Sequence, residues 1–266
     1  MQLFQNKNQI ITSDDFKLAL KELGINKGDM LCVHTNFTQF GKILPKKDEF
    51  LHQIKEILCD LIGQDGTLII PTFTYSFCKN LVFDKKNSKG VVGVFGEYFR
   101  HLDGVWRTND PIFSLAVFGA KQAEFKKDFS SCFGKDSAFE ILNANGAKFL
   151  MIGLENGDSF TYNIHIEQCS NVSYRYLKPF SGKIIDETGI SRDASILYFV
   201  RDLELNPLID HQKRLEFLLK FNAAKIKDFS SSYFLLIDAK KSFEILSEQY
   251  KKDDKYFLKT YNEISR

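Results

Sequence analysis

The sequence predicts an α/β fold: an α/β/α-type sheet with flanking helices, followed by a mixed α+β C-terminal portion. Three observations carry this reading. Across the first 155 residues, short apolar runs alternate with segments whose apolar residues recur at helical spacing, the pattern of a sheet with helices on its faces. After about residue 172 the alternation gives way to a mixed texture. No Pro/Gly/Ser-rich linker separates the two parts, so the 266 residues are read as a single domain, with 1–170 as the α/β portion and 171–266 as the α+β portion.

The elements follow in order. Thr12 or Ser13 caps a helix over 14–23, and Gly24 ends it. Residues 30–34 form a short apolar strand. Phe50, Leu51, Ile54, Ile57, Leu58, Leu61 and Ile62 recur at helical spacing, and Gly63 stops that helix. Residues 67–70 form a buried strand, with Pro71 beyond its paired part because proline cannot donate to a ladder. Residues 94–102 read as a helix and 114–118 as a strand. Ser137 caps a short helix to Asn143, Gly146 ends it, and 148–152 is a strand. In the C-terminal portion 183–185, 196–200 and 233–237 read as strands, and 212–219 and 243–250 as helices.

Composition narrows the function. Apolar residues make up 44% of the chain, enough for a large core, which excludes disordered and collagen-like classes. The net charge of +2 is too balanced to signal nucleic-acid or membrane binding. No apolar run approaches the roughly 18–20 residues of a membrane helix, and the first eight residues do not read as a secretory leader. Five widely spaced cysteines without a Cys-x-x-Cys point to reduced thiols in a cytoplasmic protein.

Several segments carry chemistry. Residues 32–41 leave a strand and enter a hydroxyl-rich loop, placed where α/β sheets bind ligands; its amides and hydroxyls suit a pyrophosphate, or it is an ordinary loop with a half-buried His34. Thr72 and Thr74 project at a strand end, toward a ligand or only the local backbone. Gly90, Gly93 and Gly96 match neither a dinucleotide fingerprint nor a phosphate loop and read as a helix entrance. Asn109-Asp110-Pro111 is a turn signal; Asp110 beside Arg107 is a turn former or a carboxylate with a tuned pKa. The segment 158–169 is the richest. His plus carboxylate is the usual general-base pair. On a helix His165 and Cys169 share a face, whereas His165 and Glu167 do not. A Cys–His nucleophilic site is one alternative and a structural histidine another. The spacing is not that of a zinc motif, and no metal is expected.

In order, these segments resemble the aminoglycoside 3-N-acetyltransferase family. A V-H-S-S-type loop followed by F-G is matched by Val33-His34-Thr35-Asn36 and Phe40-Gly41. G-T-L-x-x-P-T-F-T is matched at every fixed position over 66–74. F-D followed by G-x-x-x-E-x-F-R is matched by Phe83-Asp84 and by 93–100, and F-G-x-x-S by Phe133, Gly134 and Ser137. The resemblance spans 15–180 firmly and the remainder loosely. Two departures stand out. Resistance enzymes tend to carry R-S-x-H-P-T-H-S, where this chain has Asp110 and Phe113 in place of both histidines. They also tend to carry H-x-x-E, where here Ile164 stands three before Glu167 and His165 only two before it.

The resemblance implies direct acetyl transfer from acetyl-CoA to the amine of a small-molecule acceptor. The D-P-x-F-S form and the Tyr174-Arg175-Tyr176 segment are similar to relatives in surface-sugar biosynthesis, which implies an amino sugar, nucleotide-linked; the alternative is an aminoglycoside-resistance enzyme. A resistance pocket for polycations would be rich in acids, and 155–175 offers Glu155, Asp158 and Glu167. His165 is then the base, with Glu167 or Asp110 holding its imidazole. The donor is expected at His34, Thr35, Asn36, Phe37, Thr38, Phe40, Thr72 and Ser114, in the α/β portion. The acceptor is expected at Tyr75, Asp84, Arg107, Tyr174 and Arg175, on the α+β side. A double-displacement enzyme using Cys169 and a non-catalytic binding module are the rivals. The oligomeric state stays open, a symmetric homodimer being the commonest arrangement.

Overall fold

The structure, a computed structural model, describes residues 1–154, 157 and 159–259. Strands β1 (Gln2–Asn6) and β2 (Gln9–Thr12) pair antiparallel and lead into α1 (Ser13–Leu23). Thr12 caps this helix reciprocally: its hydroxyl accepts from the Asp15 amide at 3.2 Å, and the Asp15 carboxylate accepts from the Thr12 amide at 2.8 Å. Then come β3 (Met30–Thr35), β4 (Lys42–Ile43), α2 (Lys47–Ile62), β5 (Thr67–Pro71), β6 (Phe83–Asp84), α3 (Val94–Phe99), β7 (Trp106–Arg107) and β8 (Leu115–Gly119). The Ser137 hydroxyl accepts from the Glu140 amide at 3.1 Å and opens α4 (Ala138–Ala144), followed by β9 (Lys148–Ile152) and α5 (Tyr162–Cys169). The remainder holds β10 (Arg175–Ile185), β11 (Ser191–Arg201), α6 (His211–Lys220), β12 (Ala224–Phe229), β13 (Ser232–Asp238) and α7 (Ala239–Lys252).

A seven-stranded sheet of order β12-β13-β9-β3-β5-β8-β7 forms the middle layer. β9, β3 and β5 run parallel, and the other neighbours are antiparallel. Side chains alternate across a strand, and here the alternation sorts residues into two cores. Cys32, Ile69, Phe149 and Met151 pack with Phe139, Tyr162, Ile166 and Leu246 of α4, α5 and α7. Val33, Leu68, Ile70 and Leu150 pack with Phe16, Leu58 and Phe95 of α1, α2 and α3. Burying one such side chain stabilises by about 1.5–3 kcal/mol, so the layers hold together by many modest contributions. No helix among the described residues is long and apolar enough to cross a membrane.

The structure revises several element boundaries. Pro71 lies inside β5, paired with Leu115. The Thr72 amide donates toward β8, to the Ser114 carbonyl, so the nitrogen of Pro71 faces the β3 side, where pairing has already ended at Ile69. No ladder bond is lost. The strands expected at 183–185 and 196–200 are parts of one long hairpin, β10–β11, paired over 11 positions. Most of its residues are only half-buried or exposed, so no apolar run marked its length. β1, β2 and β12 went unread for the same reason. The helix expected over 94–102 ends at Phe99, and its last turn tightens as the His101 and Leu102 amides reach carbonyls three residues back.

The three spaced glycines do mark a helix entrance. Gly93 precedes α3 with φ 109°, and a Cβ on Gly96 would lie 2.3 Å from the Pro71 carbonyl oxygen. Glu97 accepts from the Gly90 amide at 2.9 Å and pairs with Arg100 at 2.6 Å. Burial pushes this carboxyl up, but those hydrogen bonds outweigh it and hold the group at about 2.

Candidate active site

At the carboxyl ends of β3, β5 and β9 lies a cavity of about 460 Å³ bordered by His34, Thr35, Asn36, Phe73, Leu154 and Thr161. This is the end of an α/β sheet where ligands bind. The Asn36 amide donates to the Ile152 carbonyl at 2.7 Å, and the Thr38 hydroxyl donates to Asn36 Oδ1 at 2.7 Å, which fixes the loop on β9. Gly153 is required beside it: φ is 64°, and a Cβ there would meet the Asn36 carbonyl oxygen at 2.3 Å. Thr35, Asn36 and Gly93 also border a more apolar cavity of about 430 Å³ with Phe37, Thr38 and Phe50. His34 is half-buried, and burial pushes its imidazole down to about 4, so it is neutral at pH 7.

A second cavity, of about 250 Å³, adjoins the first, since Tyr75 and Thr161 line both. Tyr75 sits at this junction with φ 54°, a left-handed backbone that costs a bulky residue about 1–3 kcal/mol. It is held by its amide bond to the Ile112 carbonyl at 3.2 Å and by edge-on contact with Phe113 at 5.3 Å. From α5 come Asn163 and Glu167, four residues apart and therefore on one face. Glu167 is buried. Its Oε2 lies 2.6 Å from Arg175 Nε, and its Oε1 lies 3.6 Å from an Arg214 guanidinium nitrogen. The same Oε1 accepts from the hydroxyls of Tyr174 at 3.3 Å and Tyr250 at 3.4 Å. Asn163 donates to the Phe160 carbonyl at 3.1 Å, while its buried Oδ1 has no hydrogen-bond partner. His211 and Arg214 of α6 enter from the far wall, their nitrogens 2.9 Å apart, and the exposed Arg201 closes the end of β11.

The aminoglycoside 3-N-acetyltransferase family model matches residues 32–251. The chain belongs to this family. It is accordingly an acyltransferase. The aminoglycoside acetyltransferase AAC(3)-Xa is similar at 19% identity, with a TM-score of 0.78 over 91% of this chain and 93% of that one. AAC-IIIb, solved as a binary complex with CoASH, is similar at 22% identity, with a TM-score of 0.77 over 91% and 97%. The YokD protein from Bacillus subtilis is similar at 16% identity, with a TM-score of 0.74 over 92% and 95%. At these identities the likeness is one of fold. No curated protein matches the sequence.

Within this aminoglycoside 3-N-acetyltransferase fold, the expected site residues divide. His34, Thr35, Asn36, Phe37 and Thr38 line the cavities at the strand ends, and Tyr75, Arg175 and Glu167 line the second one. The others do not come together there. His165 is buried on the opposite side of α5, its ring stacked on Tyr162 at 5.2 Å and its Nδ1 accepting from the Gly134 amide at 3.0 Å. Two residues advance a helix by about 200°, which turns His165 away from Asn163 and Glu167 alike. Asp110 is buried behind Phe113, accepting from the Ile112 and Phe113 amides at 2.8 and 2.7 Å; burial lifts its carboxyl to about 6 despite them. It forms a turn. Phe40 is core, packed on Phe4, Phe229 and Phe234.

Thr72 and Ser114 are fully buried partners of each other, the Ser114 hydroxyl donating to the Thr72 carbonyl at 2.7 Å. Arg107 is a buried clasp, donating to the carbonyls of Thr72, Lys85 and Ser88 at 2.8, 3.0 and 2.6 Å. Burial pulls its guanidinium down to about 9. Asp84 closes a local turn by accepting from the Lys86 and Asn87 amides, both at 2.9 Å. Tyr174 supports Glu167 from behind. Cys169 lies 3.9 Å from His165 Nε2, and burial pushes its thiol up to about 11, away from a reactive thiolate. Glu155 and Asp158 lie outside the described residues. Sequence reading missed Asn163, Arg201, His211 and Arg214. Asn163 was detectable as the residue four before Glu167; the C-terminal three carry no motif.

Proposed function

We propose that this chain transfers the acetyl group of acetyl-CoA directly to an amine of an amino-sugar acceptor. The observation that carries this is the meeting of two cavities at Tyr75 and Thr161: one at the carboxyl ends of the parallel strands, the other a polar chamber floored by Asn163 and Glu167. Membership of the family and the CoASH complex of AAC-IIIb support a coenzyme A donor in the first. Acetyl-CoA supplies an activated thioester. A C–N bond forms at the amine, the C–S bond breaks, coenzyme A leaves as the thiol, and the amine gives up a proton.

Thr35 and Asn36 hold the donor. His34 is the proposed proton acceptor, because its imidazole borders the donor cavity that opens onto the acceptor chamber. Two acceptors remain within this class. The matched family and relatives favour an aminoglycoside, in a resistance enzyme. The D-P-x-F-S segment favours a nucleotide-linked amino sugar for glycan biosynthesis. The test is coenzyme A thiol release with acetyl-CoA and each acceptor in turn. Release is expected with at least one, and His34→Gln is expected to lower kcat about 10²–10⁴-fold. Absence of release with every amine defeats the reading.

A further inference from the structure

The charge of the acceptor chamber points beyond a generic amine. Among its described lining residues are three guanidiniums, on Arg175, Arg201 and Arg214, and one carboxylate, on Glu167. That carboxylate is already engaged by Arg175, by Arg214 and by two tyrosine hydroxyls. Among the described lining residues it balances the charge of one of the two buried arginines and leaves one positive charge over, which an anion would complete. Arg201 adds a further positive charge at the exposed end of β11. Guanidinium forks match carboxylate and phosphate oxygens. One helical turn before Glu167, the buried and unpartnered Oδ1 of Asn163 awaits an N–H donor, two residues from Thr161 at the junction with the donor cavity. At about 250 Å³ the chamber is also below the roughly 300–1,000 Å³ usual for drug-sized ligands, which suits one sugar ring.

From this we infer that the acceptor is an amino sugar carrying an anionic group, its amine directed to Asn163 and its oxyanion to the arginines. The inference rests on the transferase reading above and sharpens it. Among the described lining residues, an acceptor whose only charges are ammonium groups meets three like charges and one carboxylate that is already paired.

The test uses the full chain, acetyl-CoA and four amines: glucosamine, glucosamine 6-phosphate, galactosaminuronic acid and kanamycin. Thiol release gives kcat/KM for each. At least a tenfold preference for the phosphate or the carboxylate compound over glucosamine is expected, and whichever of the two is preferred identifies the anion. Arg201→Gln should raise KM for that compound and shrink the preference toward unity. Asn163→Leu should lower kcat/KM about tenfold, with unchanged coenzyme A binding by calorimetry. Equal or better turnover of glucosamine or kanamycin overturns the inference while leaving the transferase intact. A preference unmoved by Arg201→Gln also overturns it. No release with any of the four overturns this inference, and the transferase reading falls with it only if a nucleotide-linked amino sugar and further aminoglycosides also give no release.

Discussion

His165 and Asn163 occupy one helix, two residues apart, and face opposite ways. His165→Gln therefore tests structure rather than chemistry. The variant should lose about 1–3 kcal/mol in urea unfolding, because the Gly134 amide and the Tyr162 ring lose their fitted partner, while kcat stays within a few-fold. Arg107→Met carries a larger penalty. It strips donors from three buried carbonyls at once and should cost about 3 kcal/mol or more, read as a lowered melting temperature. The strand-end position of Val33-His34-Thr35-Asn36 was legible, since the segment is contiguous and its place follows from the alternation; the structure puts His34, Thr35 and Asn36 on a cavity there. The resemblance could not tell Phe40 from Phe37: both are aromatic and three apart, and only packing shows that Phe40 turns to Phe4 and Phe229.

Elements with strong periodicity were legible, and those with half-wet faces were not. The run from Phe50 to Ile62 repeats every three to four residues, so α2 could be read almost to its ends. The β10–β11 hairpin offers no such signal, because most of its side chains are at least partly exposed. The entry to α3 makes a sharp prediction. Gly96→Ala forces a Cβ against the Pro71 carbonyl, with backbone on both sides of the contact. It should destabilise the protein by about 1–3 kcal/mol and raise KM for acetyl-CoA, since Gly93 and Val94 border the cavity proposed for the donor. Wild-type melting temperature and KM in this variant would show that α3 can slide freely.

Acid sensitivity belongs to the whole molecule. His34 and His165 are both pushed by burial from 6.5 to about 4, so between those values the unfolded chain binds two protons the folded one refuses. Asp110, raised from 3.8 to about 6, acts in the opposite sense over much of that range. The balance of one proton means that stability should fall by about 1.4 kcal/mol per pH unit as pH drops from about 6 toward 4. Denaturant unfolding across that range checks the slope, and His165→Gln should flatten it. The class of fold was legible because short apolar runs such as 30–34 and 148–152 alternate with helical periodicities, and the structure sends their neighbouring side chains, Cys32 and Val33 among them, into two apolar cores. The acceptor chamber was not, because Asn163, Arg201 and Arg214 lie on three elements brought together only by folding. That chamber is lined by the exposed Arg201, and the proposed donor side by the exposed Lys47, so each cavity has a wall that reaches solvent. With solvent reached from two walls of joined cavities, neither substrate need wait for the other. Initial-rate lines at varied concentrations of both should intersect, and each substrate should bind the empty enzyme by itself.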